Sequence, residues 1–95
     1  MDYKIRWSPE AVEDLEKIEN YLKDNWSEIV LNRFKSSLSN RLKLLSRFPE
    51  MHIASPKMPA LRKSVLSKET SIIYTLIDNV IYIVGLIDNR SDHDY

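Results

Sequence analysis

The feature that most restricts this chain is an abrupt change in the period of its hydrophobic residues. Between Pro9 and Arg47 apolar side chains recur at three- and four-residue steps, whereas from Leu61 onward they crowd into short β-branched and aromatic runs. A period near 3.6 lays one apolar stripe along a helix, and β-branched runs bounded by turns fit strands. A helical first half must therefore share one core with a β-rich second half. With 95 residues the chain fits a single small domain spanning residues 1–95, expected to bury roughly 60–65% of the surface that its unfolded form exposes.

Tyr3, Ile5 and Trp7 alternate with Asp2, Lys4 and Arg6, which predicts a strand over Asp2–Trp7 with one buried face. Ser8-Pro9 ends it and opens a helix, with Ser8 as the cap and Pro9 at the first helical position, where a missing N–H is harmless. Glu10, Glu13 and Asp14 follow where the helix dipole favours negative charge. Ala11, Val12, Leu15, Ile18 and Leu22 form the stripe of this helix, which runs to about Asp24. Ser27 then caps a second helix over Glu28–Arg47, with Leu31, Phe34, Leu38, Leu42 and Leu45 facing inward and Pro49 as its stop. So short a link predicts a helical hairpin.

Glu50–Ala60, with Pro49, Pro56 and Pro59 in or beside it, shows no period and reads as a surface loop. Strands are predicted at Leu61–Ser67, Ser71–Ile77 and Val80–Ile87, the last two joined by the two-residue turn Asp78-Asn79. The expected fold class is α+β: a small antiparallel-rich β-sheet packed against an N-terminal α-helical hairpin, in the order β-α-α-β-β-β.

Composition narrows the chemistry. Cysteine is absent, which excludes disulfides and thiolate metal sites and fits a reducing cytoplasm. A single glycine excludes the glycine-rich loops that cradle phosphates. No apolar run approaches the roughly 18 residues that span a bilayer, and no leader-like pattern opens the chain. His52 and His93 lack ligand spacing, so no metal and no cofactor are expected, and no serine stands in a nucleophile-elbow context.

Fourteen bases balance fourteen acids, but unevenly. Ser8–Asp24 holds six acids and two bases, whereas Ile29–Arg47 holds five bases and no acid. Lys57, Arg62, Lys63 and Lys68 form a second acid-free group. The helix-borne bases read either as a solvated face complemented by the acidic helix or as a surface for an acidic partner. Strand-borne Arg62 and Lys63 are the stronger candidates for polyanion contact, and an open sheet edge is a candidate for strand addition. Past the last strand, Arg90, His93 and Tyr95 follow closely. Metal-free RNA cleavage needs a base, a cation beside the phosphate and an acid for the leaving oxygen; Arg90 suits the second role and His93 or Tyr95 the third.

These motifs together resemble the RelE/ParE superfamily of bacterial type II toxins. The resemblance is carried by Trp7–Ala11 (W-S-P-E-A), Leu45–Glu50 (L-S-R-F-P-E), Leu61-Arg62, Thr70–Tyr74 (T-S-I-I-Y) and Ile87–Arg90 (I-D-N-R). It implies a growth-inhibiting toxin neutralised by a cognate antitoxin in a hetero-oligomeric complex. Relatives similar to ParE poison DNA gyrase; those similar to RelE cleave messenger RNA at the ribosome without metal. The long hairpin looks more like the ParE side. The RelE-like pattern places an arginine three residues before the third-strand tyrosine, and here that position is Ser71, which carries no charge. Target contact is expected from Arg62, Lys63, Lys68 and Arg90; on the ribonuclease alternative Arg90, His93, Tyr95 and Lys68 would serve catalysis. A toxin-fold binding module without activity is the further alternative.

Overall fold

The computed structural model describes residues 2–51, 54 and 58–89. Its elements are β1 (Lys4–Trp7), α1 (Pro9–Asn25), α2 (Glu28–Arg47), β2 (Leu61–Val65), β3 (Thr70–Ile77) and β4 (Val80–Asp88). Both helices start where the serines predict. The Ser8 hydroxyl accepts the Ala11 N–H at 3.0 Å and the Ser27 hydroxyl accepts the Val30 N–H at 3.3 Å, each satisfying a donor that the first helical turn leaves open. Only Trp26 and Ser27 separate the helices, and Lys35 of α2 meets Glu19 of α1 at 3.4 Å.

The four strands form one sheet in the order β1-β4-β3-β2. β1 pairs parallel with β4, Lys4 opposite Val80 through Trp7 opposite Ile83, and the other neighbours are antiparallel. A parallel pair needs a long crossover, and the hairpin begins it. Its apolar stripes meet the sheet in a core of Ala11, Leu38, Leu45, Ile72, Tyr74, Ile81, Ile83 and Leu86. Tyr74 is fully buried and its hydroxyl donates to the Pro49 carbonyl at 2.8 Å. That bond ties the turn after α2 to the central strand β3. At the β3–β4 turn Asp78 has φ 55°, the left-handed conformation that a tight hairpin asks for and that Asp tolerates.

Between β3 and β4 the register slips: Ile73 faces Gly85 while Tyr74 faces Ile83, so Val84 is an extra, bulged residue. α1 grips this irregular stretch. The Ser8 N–H donates to the Ile83 carbonyl at 3.0 Å, the Ser8 hydroxyl to the Val84 carbonyl at 2.9 Å, and the Asp14 carboxylate accepts the Leu86 N–H at 3.1 Å. A Cβ at Gly85 would lie 3.1 Å from the same Asp14 oxygen, which explains the glycine inside a strand. Gly85→Ala is expected to push the carboxylate off the Leu86 N–H and lower stability by about 1 kcal/mol, a fall of roughly 4–8 °C in melting temperature for a domain of this size. An unchanged melt would show that Asp14 yields freely.

Candidate functional site

The hairpin is buried at its base and open at its tip. Ala11 and Leu45 are fully enclosed, whereas Tyr21 and Trp26 are 52% and 65% exposed. Between the tip half of the hairpin and the end of the sheet lies a groove of about 730 Å³. Ile18, Tyr21, Leu22 and Trp26 of the first helix and its link, and Val30 and Phe34 of α2, form one wall; Leu66, Leu86 and Ile87 line the other. Asp14, Lys17 and Arg33 flank it on the helical side, and Glu69 and Asp88 on the sheet side. An apolar channel with charges on both sides is suited to an amphipathic segment from a partner.

Beside the groove the sheet ends in a polar layer. Ser64, Thr70 and Ser71 are buried, so each needs a partner. Arg41 donates to the Ser64 hydroxyl and to the Val65 carbonyl, both at 2.8 Å. The Ser71 hydroxyl donates to the Asn89 side-chain carbonyl at 2.5 Å, and the Asn89 amide donates to the Ser67 carbonyl at 2.9 Å. Ser67 in turn accepts the N–H groups of Glu69 and Thr70 at 3.2 Å, which fixes the β2–β3 turn.

The predicted contact residues that the structure describes share neither one end nor one surface of the sheet: Lys68 lies in the β2–β3 turn, whereas Arg62 and Lys63 pair with the middle of β3. Arg62 pairs with Tyr74 and so lies on the helical face, where it also bridges Ala54. Its neighbour Lys63 pairs with Ile73 on the opposite face. Lys68 is exposed in the β2–β3 turn. Arg90, His93 and Tyr95 lie outside the described residues, as does His52. Sequence reasoning missed the groove, the Asn89 network and the link that Arg41 makes from α2 to β2. Arg41 carried a readable signal: it falls between Leu38 and Leu45, three and four residues away, at the edge of the apolar stripe rather than on the outer face.

Residues 5–93 match the family model described as the ParE toxin of the type II toxin–antitoxin system parDE. The chain belongs to the ParE toxin family. Among solved structures, this ParE-family chain is similar to the chromosomal ParDE toxin–antitoxin system from P. aeruginosa, at 16% identity and a TM-score of 0.76, covering 90% of this chain and 95% of that one. It is also similar to the RelBE2 toxin–antitoxin complex from Mycobacterium tuberculosis, at 15% identity, a TM-score of 0.62, and coverage of 93% and 99%. The YoeB dimer from Staphylococcus aureus matches at 19% identity and a TM-score of 0.64, with coverage of 92% and 97%. At such identities these likenesses concern the fold. No curated relative matches the sequence. Family membership makes the chain a toxin of the type II toxin–antitoxin class, and the expected β-α-α-β-β-β architecture is the one observed in this ParE-family chain. Among its described residues no helix is long and apolar enough to cross a membrane.

Proposed function

We propose that this chain is a cytoplasmic growth inhibitor that acts by binding DNA gyrase and is silenced by a cognate antitoxin. The observation that carries the binding reading, over RNA cleavage, is Ser71. It occupies the position where RelE-like ribonucleases bear an arginine, yet its side chain is wholly buried and its hydroxyl is committed to Asn89. A buried, neutral, internally bonded group offers a phosphate no charge. The ParE family match agrees with this reading.

The groove is the seat we assign to the antitoxin. An amphipathic segment laid along it would cover Tyr21, Trp26 and Phe34 and set acidic side chains beside Lys17 and Arg33. Target contact is assigned to Arg62, Lys63, Lys68 and Arg90.

Induction of the chain in cells without the antitoxin is expected to arrest growth and to produce DNA breaks, with messenger RNA left intact. Cut messages with unbroken DNA would overturn the gyrase reading in favour of the ribonuclease one. Unimpeded growth would favour a binding module that keeps only the fold.

A further inference from the structure

The helices cover one face of the sheet, and the other face has a chemistry of its own. In β1, Ile5 and Trp7 pack against the core while Lys4 and Arg6 stand exposed on the far side. The register carries that side across the sheet. Lys4 lies opposite Val80, which faces Ile77; Arg6 lies opposite Tyr82, which faces Thr75 and then Leu61. Lys63 belongs to the next row, opposite Ile73. Toward the other end of this face Ser71, Ile73 and Ile87 are buried, so its accessible part is the half nearer the β3–β4 turn, where Tyr82 is 37% exposed.

The strand positions of this face hold three bases, Lys4, Arg6 and Lys63, and no acid. The neighbouring acids are engaged elsewhere: Asp2 reaches Arg47 at 4.0 Å, Asp14 accepts the Leu86 N–H, and Glu69 and Asp88 border the groove on the helical face. Asp78, in the turn, is the nearest acid along the ladder. Among the described residues none of the three bases enters an ion pair. Charges on edge strands also discourage sheet-to-sheet pairing, but either sign does that. Here every one is positive, and the two edges are three strand spacings apart, about 14 Å. That separation matches about four base steps along one strand of a duplex. Tyr82 stands between the edges, and a tyrosine hydroxyl can donate to a phosphate oxygen as the bases do.

We propose that this uncovered face is a docking surface for duplex DNA, with Lys4, Arg6 and Lys63 neutralising phosphates and Tyr82 donating a hydrogen bond to the same backbone. The contact is sequence-independent, because nothing on so flat a face enters a groove to read base edges. The proposal rests on the gyrase reading above and deepens it: the toxin touches the DNA that gyrase holds as well as the enzyme. Lys63 thereby gains Lys4, Arg6 and Tyr82 as partners in target contact.

The test is fluorescence anisotropy of a short labelled duplex titrated with the full chain over a range of salt, beside supercoiling by purified gyrase and a thermal melt. Wild type is expected to bind with a log–log salt slope of about −2.7, from about 0.9 for each of three phosphates. Lys4→Gln with Arg6→Gln is expected to bring the slope to about −1, weaken DNA binding at low salt at least about tenfold, and weaken gyrase inhibition to a similar degree. Each single change lowers the slope by about 1 and gives the same answer if the pair folds poorly. Tyr82→Phe is expected to weaken binding with the slope unchanged. Lys23→Gln with Lys43→Gln alters net charge equally on the exposed sides of the helices and is expected to leave binding within about twofold of wild type, since exposed charges beyond a Debye length are screened. A wild-type chain that does not bind the duplex would overturn the proposal. Equal losses from the helical pair would also do so, as would displacement of the duplex by polyglutamate at matched charge, which would point to an acidic protein. A chain that binds DNA through this face but leaves gyrase unimpaired would overturn the gyrase reading alone. One that inhibits gyrase fully without Lys4 and Arg6 would overturn the DNA contact alone.

Discussion

Exchanging Tyr21 and Trp26 together for alanine is expected to weaken antitoxin binding about 100-fold or more while leaving the toxin folded and toxic. Both side chains stand more than half exposed at the mouth of the groove and lie outside the buried core. Their loss therefore removes little that folding depends on. Interface aromatics that become fully covered typically contribute about 2 kcal/mol or more each when truncated, and each 1.4 kcal/mol or so is a factor of ten in affinity. Titration of the variant with the antitoxin, alongside a thermal melt of the toxin alone, separates the two effects. Antitoxin binding within about threefold of wild type would move the antitoxin's seat away from the groove, for example to the free edge of β1.

The second large effect concerns the fold. Tyr74→Ala is expected to destabilise the domain by about 3–5 kcal/mol, the range for removing a large aromatic from a close-packed core. Tyr74 stands at the centre of the sheet, fully enclosed, beside the register slip and opposite the helical stripe. Set against a total stability of about 5–15 kcal/mol for a natural domain, such a change lowers the melting temperature by about 15 °C or more and leaves part of the population unfolded on warming. Tyr74→Phe keeps the ring and removes only the hydroxyl that reaches Pro49. It is expected to cost about 1–2 kcal/mol, since the buried Pro49 carbonyl loses that donor. A Tyr74→Phe melt equal to wild type would mean that the link from β3 to the end of α2 contributes nothing, and that ring packing alone holds the two together.

Most of the secondary structure was legible because each element carries its own local signature. Ser8-Pro9 and Ser27 mark helix starts, Pro49 marks a stop, and Asp78-Asn79 marks a hairpin; the observed boundaries agree to within a few residues. The placement of β1 beside β4 was not legible, since a parallel pair between the two ends of the sheet leaves no mark in either strand. Nor was the bulge at Val84, although the lone glycine next to it was a clue to close backbone approach. The site was harder still. Spacing suggested that Arg62 and Lys63 act together, but adjacent strand residues point to opposite faces, so the pair is divided by the sheet. The groove arises from how far the hairpin overhangs the strands, a tertiary property. Ser71 looked like a missing arginine; only its burial and its bond to Asn89 show what it does instead.

The most direct measurement is a supercoiling reaction with purified gyrase, relaxed plasmid and ATP, to which the wild-type chain is added with and without the antitoxin. The account predicts that the chain alone blocks supercoiling and leaves gyrase trapped on cut DNA, and that antitoxin added first restores full activity. Unimpaired supercoiling at a large excess of a chain that still arrests growth in cells would contradict it.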